Sequence, residues 1–418
     1  MADPLRKGDP MRVAIVGGGV IGLLAGHHLV KKGAAVTVIE RGRLGAACSS
    51  GNAGWISPSI SLPLPAPGLL SRSLKWMLRS DSPLYIKPSA VLRMWPFLLR
   101  FWAHCNQAEF ARGGRAMAAL AADTMELYDD LEADGVEFEW HGDGLLVVFR
   151  AAAELADEQR LLEQSGYGPY EVLTRDEVLT REPALAPHFM GGIHILPERV
   201  VRPEAVCAAT AERLRESGAE LIEDTAVDGL RMEGGRCRAA RTAAGEIEAD
   251  LFLVATGAEA SALSSACGHP LPLQAGKGYS VTVTGPRTTI RHPLYLFTAK
   301  VGVTPFDGAI RVAGTMELSG INLRLDPKRL AALERAANAD VPGVLEGETT
   351  TPWVGMRPIT PDGLPILGRL GGIDNLFVAT GHQMMGVTLA PATGKAMADL
   401  MLEGSASVDL EPFSPSRF

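Results

Sequence analysis

"MRVAIVGGGVIGLLAGHHLVKKGAAVTVIER", Met11 to Arg41, is the stretch whose reading decides the fold. "VAIV" is a continuous apolar run, suited to a parallel strand covered on both faces. Glycines follow at once, then a helical segment through Leu23, Leu24 and Leu29 to Lys31, which Gly33 ends. "AVTVIE" is the second strand, so the stretch forms one βαβ unit. Gly17, Gly19 and Gly22 spell GxGxxG between strand and helix, with Val20 and Ile21 in the first helical turn. In such a loop the first glycine makes the tight turn and the second lets backbone approach a pyrophosphate at the helix N-terminus. The third permits close helix–strand packing. Glu40, eighteen positions after Gly22, closes the second strand with a carboxylate suited to ribose hydroxyls, and Arg41 stands beside it in the expected cofactor site. The bland alternative is a tight turn in a sheet protein that binds no nucleotide.

An acid at Glu40 disfavours the extra phosphate of NADP, and leaves NAD and FAD. FAD is favoured by the segment after the strand: "RGRLGAACSSGNAG", Arg41 to Gly54, a loop of small residues whose backbone can lie along a flavin ring. Ser49 and Ser50 offer hydroxyls to a pyrophosphate, and Asn52, Ala53 and Gly54 offer compact backbone to the ring. Cys48 has neither a basic neighbour to lower its pKa nor a second thiol for a metal pair, so the loop reads as a cofactor seat and not as a nucleophile. The chain carries no second GxGxxG, which argues against a two-nucleotide reductase.

The bulk of the sequence sets limits. Its 418 residues are enough for two or three domains' worth of core, and 46% hydrophobic with 21% charged residues is ordinary globular composition. A net charge of -8 argues against nucleic acid as a partner, because phosphates need a basic excess. Five cysteines at irregular spacings give neither a disulfide framework nor a metal pair, and nine histidines show no clustered spacing, so the expectations are a reducing cytoplasm and no metal. "MADPLRKGDP" has no apolar core and reads as a flexible lead-in over residues 1–10. The most membrane-like segment is "VLRMWPFLLRFWAH", Val91 to His104. Pro96 and arginines interrupt it, which leaves internal packing or a peripheral contact at the inner face of the cell membrane.

Further along, "GLLVVF" and "GGIHILPE" read as strands, 151–163, 174–180, 202–220 and 326–338 as helices, and 276–318 as a strand-rich block. "LFLVATG" and "NLFVATGH" are buried strands, and a final helix is expected from about Pro391 to Leu402. Nucleotide-type elements stand at both ends and in the middle. The expected architecture is α/β: a Rossmann-like FAD-binding domain over 11–80, 195–270 and 351–418, interleaved with an α+β substrate-binding domain over 81–194 and 271–350 that contains an antiparallel sheet.

Taken together, "VAIVGGGVIGLLAGHHL", "GAAVTVIER", "CSSGNAG", "SLPLPAPGLLSRSLKWMLRSDSPLYIKPS", "KGYS", "GMRPITPDGLPILG" and "NLFVATGHQMMGVTLAPATGKAMADL" resemble the FAD-dependent D-amino-acid dehydrogenase and glycine oxidase (DAO) family, nearest to its bacterial D-amino-acid dehydrogenases. The likeness runs in order over nearly the whole chain from Met11. It implies FAD-dependent oxidative deamination of D-amino acids: a hydride passes from the α-carbon to flavin N5, and the imino acid hydrolyses to a 2-oxo acid and ammonia. Electrons then go to an acceptor, a quinone or oxygen. "GAIRVAGTMELSG" and "DLEPFSPSRF" are also similar to relatives acting on secondary amines, such as D-proline, hydroxy-D-proline, sarcosine or N-substituted glycines like glyphosate.

The resemblance also implies roles. Arg357 of "GMRP" matches the arginine that grips the substrate carboxylate, for which a guanidinium offers two parallel charge-assisted bonds. Tyr279 of "KGYS" matches a phenol beside the substrate, although strand tyrosines are also common core residues. Gly381, Gln383, Met384, Met385, Gly386 and Val387, in and after "GHQMMG", match backbone along the pyrimidine edge of the flavin, with His382 either in the site or structural. Thr256 and Gly257 of "VATGA" match the approach to the pyrophosphate and ribose, and Val227 receives the adenine. Glycine-oxidase-like relatives carry a cation after the histidine where this chain has Met384 and Met385, which implies a more apolar pocket. Relatives with covalently attached flavin use a C-terminal cysteine; the last cysteine here is Cys267, so a dissociable FAD is expected.

Overall fold

In the computed structural model, which describes residues 9–69, 82–165 and 167–418, the apolar run "RVAIV" forms the strand Arg12–Val16, buried from Val13 onward. Most of the expected lead-in, residues 1–8, and the part of the family-like stretch at 70–81 lie outside the described residues. The opening strand pairs in parallel with Ala35–Ile39 on one side and Leu251–Val254 on the other. Glu220–Ile222 and Leu376–Thr380 extend the sheet in parallel, and the antiparallel edge strand Ile366–Arg369 completes six. The opening helix, Val20–Lys31, packs over this sheet and against the C-terminal helix, Gly386–Glu403. A Cβ at Gly394 would stand 2.7 Å from the Leu24 carbonyl, so only glycine permits that crossing.

That C-terminal helix begins five residues before Pro391, where the sequence suggested its start. A proline inside a helix leaves the carbonyl four residues earlier without its donor. Here that carbonyl belongs to Val387, and the Tyr128 hydroxyl donates to it at 2.8 Å. The tertiary partner removes the cost that made an earlier start look unfavourable.

A second, nine-stranded sheet is built around the eleven-residue strand Gln274–Thr284, flanked antiparallel by Thr349–Ile359 and Ala309–Leu318. Most of its pairings are antiparallel; Leu294–Leu296 with Leu145–Phe149, and Leu84–Ile86 with Ala309–Leu318, are parallel. The sequence division placed residues 351–359 with the nucleotide-binding domain. Their strand instead pairs along its whole length with Gln274–Thr284, so this segment belongs to the second sheet. One face of the second sheet is covered by the helix Pro327–Asp340, through Leu333 and Ala337. The other face looks toward the loop at 48–54.

Candidate functional site

Four turns meet at the C-terminal ends of adjacent parallel strands, the place where an open α/β sheet leaves a crevice as its strand order reverses. Gly17 follows the opening strand, Glu40 the second, Thr256 follows Leu251–Val254 and Gly381 follows Leu376–Thr380. Gly17 has φ +112°, and a Cβ there would stand 2.5 Å from the Ala255 carbonyl oxygen. A Cβ at Gly22 would stand 2.0 Å from the Gly17 carbonyl. Gly19 caps the opening helix without a side chain, and the first turn holds no acid. The Val20 N–H donates to Ser49 Oγ at 3.0 Å, which sets the expected pyrophosphate hydroxyl at that helix end; Ile21 is half-buried beside it. Glu40 accepts from Gly18 N–H at 2.8 Å and Gly42 N–H at 3.0 Å, and so shapes both flanking turns. Its carbonyl accepts from Thr225 N–H at 2.9 Å, which brings Val227 to the same end of the sheet. Thr256 Oγ1 is buried there without a partner, and the Gly257 carbonyl accepts from Thr380 Oγ1 at 2.7 Å.

Arg41, in the bend after the second strand, forms an ion pair with Glu259, two residues beyond Gly257.

The loop at 48–54 is clamped between the two sheets. Asn52 Oδ1 accepts from Gly54 N–H at 2.8 Å, a local turn, and the Gly54 carbonyl accepts from Val201 N–H at 2.8 Å. Gly51 N–H donates to Glu204 at 3.0 Å; Glu204 pairs with Arg311 at 2.7 Å; and Arg311 donates to the Asn52 carbonyl at 2.8 Å. The Ser50 N–H is held by the Gly45 carbonyl at 3.0 Å, and Ala53 is half-buried within the clamp. Sequence reasoning passed over Arg311 and Glu204. Their signal was available, since an arginine at an inward position of "AIRVAG" needs a partner once the strand is buried. Burial pushes the Cys48 thiol up to about 11, against the smaller opposing effect of Arg357, so it stays protonated.

That electrostatic neighbour is the central finding of the site. Arg357 lies opposite Gly276 in the strand register and reaches over Gly278, where a Cβ would stand 2.4 Å from the guanidinium carbon. Its Nη1 donates to the Thr315 carbonyl at 2.6 Å. Thr315 has φ +60° and sits in a bulge where Lys277 opposes Glu317 and Tyr279 opposes Gly314. The extra residue turns its carbonyl toward the arginine. Burial pushes the Arg357 pKa down from its usual value, and among the described residues no carboxylate pairs with it. The main-chain N–H of Gln383 donates to the Pro358 carbonyl at 3.0 Å, so the turn from Gly381 into the C-terminal helix meets the arginine strand one residue from Arg357. Gln383 has φ +52°, its amide nitrogen bonds the Gly363 carbonyl, and its Oε1 is buried without a partner. Met384 is 45% exposed, Met385 caps the helix that Gly386 begins, and Val387 is buried behind them.

Two expected site residues are not with Arg357. Tyr279 adjoins Gly278 in an extended strand and therefore points to the opposite face, where it is 1% exposed and donates to Glu317 Oε2 at 2.7 Å. His382 turns into the helix, with Nε2 and Thr393 Oγ1 at 3.0 Å. Burial lowers its pKa to about 3, so it carries no charge for the site.

The sequence pattern of the FAD dependent oxidoreductase (DAO) family matches residues 12–400. The chain belongs to this family. It is an FAD-dependent oxidoreductase, and the glycine cradle, the acid-free first turn of the opening helix and the Thr256 and Gln383 oxygens, unpartnered among the described residues, fit that cofactor. A D-amino acid dehydrogenase of Bradyrhizobium diazoefficiens is 32% identical over 98% of this chain and 99% of its own. One of Xanthobacter autotrophicus is 33% identical with the same coverage. Among solved structures, the glycine oxidase of Geobacillus kaustophilus is 27% identical with a TM-score of 0.78, over 98% of this chain and 99% of that one. The L-proline dehydrogenase of P. horikoshii, at 22% identity and TM-score 0.74 over 98% of each chain, shares the fold. In this oxidoreductase no helix among the described residues is long and apolar enough to cross a membrane.

Proposed function

We propose that this FAD-dependent oxidoreductase oxidises D-amino acids to imino acids, which hydrolyse to a 2-oxo acid and ammonia. One observation carries the reading. Arg357 is a half-buried guanidinium beside the loop at 48–54, with no carboxylate among the described residues to balance it. An unbalanced charge in such a place is costly unless a ligand completes it, and the carboxylate of an amino acid does so with two charge-assisted bonds. The bound flavin supplies the two-electron acceptor for the α-carbon hydride.

The protein's own part is orientation. Thr315 fixes one side of the guanidinium, Gly278 leaves room for its plane, and the link from Gln383 to Pro358 holds the carboxylate grip in register with the helix start at Gly386. Positioning of this kind removes much of the entropic barrier without a protein base. The FAD is non-covalent in this reading, and its electrons pass to a quinone or another acceptor, with a peripheral contact at the membrane's inner face. The named relatives support D-amino acids as the substrate class. A second reading, oxidation of secondary amines such as D-proline or sarcosine, is favoured by the apolar pair Met384 and Met385 at the helix start, which demands no primary ammonium.

The test is anaerobic bleaching of the purified yellow protein by D-alanine, D-proline, sarcosine and L-alanine, followed by turnover with a soluble dye. Fastest bleaching by D-alanine supports the first reading, and fastest bleaching by D-proline or sarcosine replaces it with the second. No bleaching by any of them refutes both.

A further inference from the structure

The helix Pro88–Ala103 buries one face and presents a second apolar one that the described residues leave uncovered. Ala90, Met94 and Phe97, with Phe101 partly buried, pack against Met316, Leu318 and Ile359 of the second sheet. On the far side Leu92 is 83% exposed, Trp95 58%, Leu99 50% and Trp102 61%. Their spacing of three, four and three residues sets all four on one helical stripe. A helix apolar all round belongs in an interior or a lipid phase; one on the surface of a soluble chain needs a reason. Ile321 and Leu323, also exposed, begin three residues beyond Leu318, whose carbonyl accepts the Lys87 N–H at 3.0 Å.

Charge identifies the occupant. The chain carries 48 acidic residues and a net charge of -8, yet from Ser82 to Ala108 there is no Asp or Glu. Lys87, Arg93 and Arg100 fall in this window, all exposed, and both arginines lie on one flank of the stripe, with no ion pair to a described residue. Tryptophan and leucine on one face, cations at its margin and acids excluded are what a helix lying in a bilayer's headgroup region requires. An isologous contact with a second copy would instead bring the arginines of both copies together with no acid to offset them.

We propose that the Leu92–Trp95–Leu99–Trp102 stripe, with Lys87, Arg93 and Arg100, docks this oxidoreductase in the plane of an anionic phospholipid bilayer. This gives a surface to the membrane contact in the proposed function; the docking itself does not depend on which amine is oxidised. The placement is functional as well. Met316, packed beneath this helix, has its sulfur 3.9 Å from Arg357 Nη1, so the docking helix itself, with Met316 under its buried face, stands between the bilayer and the carboxylate grip. An acceptor dissolved in the bilayer would be presented on that side of the molecule.

The experiment uses the full-length, FAD-loaded protein with vesicles of phosphatidylcholine mixed with phosphatidylglycerol, and with pure phosphatidylcholine vesicles. Three readouts are taken: co-sedimentation, quenching of tryptophan fluorescence by brominated acyl chains, and turnover with a soluble dye. The wild type is expected to sediment with the anionic vesicles and to be quenched. Leu92→Gln/Trp95→Gln/Trp102→Gln, at exposed positions, is expected to lower partitioning roughly tenfold or more and to abolish quenching, with dye-coupled turnover unchanged. Arg93→Gln/Arg100→Gln is expected to lower binding to the anionic vesicles about tenfold and to flatten its dependence on salt. Wild-type protein that ignores both vesicles, or a triple variant that binds them as the wild type does, overturns the proposal. So does a triple variant that turns a dimer into a monomer while the wild type ignores vesicles, since a second copy then covers the face. Vesicle binding by a protein that no amine bleaches would refute the substrate reading and leave the docking intact.

Discussion

The strand Gln274–Thr284 has cations packed against both of its faces, and they are treated in opposite ways. On one face Lys277 meets Glu317 at 3.0 Å, Asn322 at 2.9 Å and the Arg324 carbonyl at 3.0 Å. Arg329 lies 3.4 Å from the same carboxylate, and Tyr279 donates to it. There the chain itself supplies a carboxylate, which both cations share. On the other face Arg357 has a carbonyl and, among the described residues, no counter-charge. One strand thus separates a cation that the fold supplies with a carboxylate from the one proposed to hold a ligand, and that counter-charge distinguishes them where residue type does not.

The largest expected effect comes from breaking the balanced side. Glu317→Gln leaves Lys277 and Arg329 buried without their carboxylate and should lower unfolding free energy by about 3–5 kcal/mol in urea melts. The reverse holds opposite: Arg357→Met should leave the melting temperature unchanged or raised, because an unbalanced half-buried charge is removed. The same variant should cut kcat/KM about a hundredfold or more through KM, as two charge-assisted bonds at ~1.5–3 kcal/mol each are lost. A destabilised Arg357→Met with unchanged KM would collapse the distinction between the faces.

Glu198 extends the comparison to a buried acid with no cation. Burial, only partly countered by Ser59 and Ser57, raises its pKa to about 7, and one oxygen has no partner. A carboxyl raised in the folded state above its ordinary 4.5 favours folding fully below that value and loses the contribution as pH rises through about 7. Glu198→Gln should therefore gain on the wild type between pH 5 and pH 8, by roughly 3 kcal/mol at the upper limit, read from unfolding curves at the two pH values. Tyr279→Phe is the smallest: a loss of about 1–2 kcal/mol in stability from one bond to a charged group, with KM within twofold of wild type. A large rise in KM would return Tyr279 to the substrate.

The cofactor half was legible because its chemistry is local. Gly17, Gly19, Gly22 and Glu40 act within one βαβ unit, and the loop at 48–54 comes next in sequence, so spacing alone carries the meaning. His382 departs from its expected place because adjacency in sequence is not adjacency in space: its bond to Thr393 and burial turn it into the helix. Tyr279 shows this in its plainest form, one residue from Gly278 and on the other side of the sheet.

By itself the sequence determined the α/β class and the dinucleotide cradle, because periodicity and fixed spacings report interactions within a few turns of chain; the family and Arg357 as the candidate anion grip came from the resemblance of its motifs. Only the tertiary structure decided which face of the long strand each residue occupies and that Arg311 and Glu204 clamp the cofactor loop. It also decided that Tyr128 relieves the helix at Pro391, and that an apolar stripe stays uncovered on Pro88–Ala103. Those outcomes depend on partners up to hundreds of residues apart, and pairing register, charge balance and burial exist only once distant segments have met.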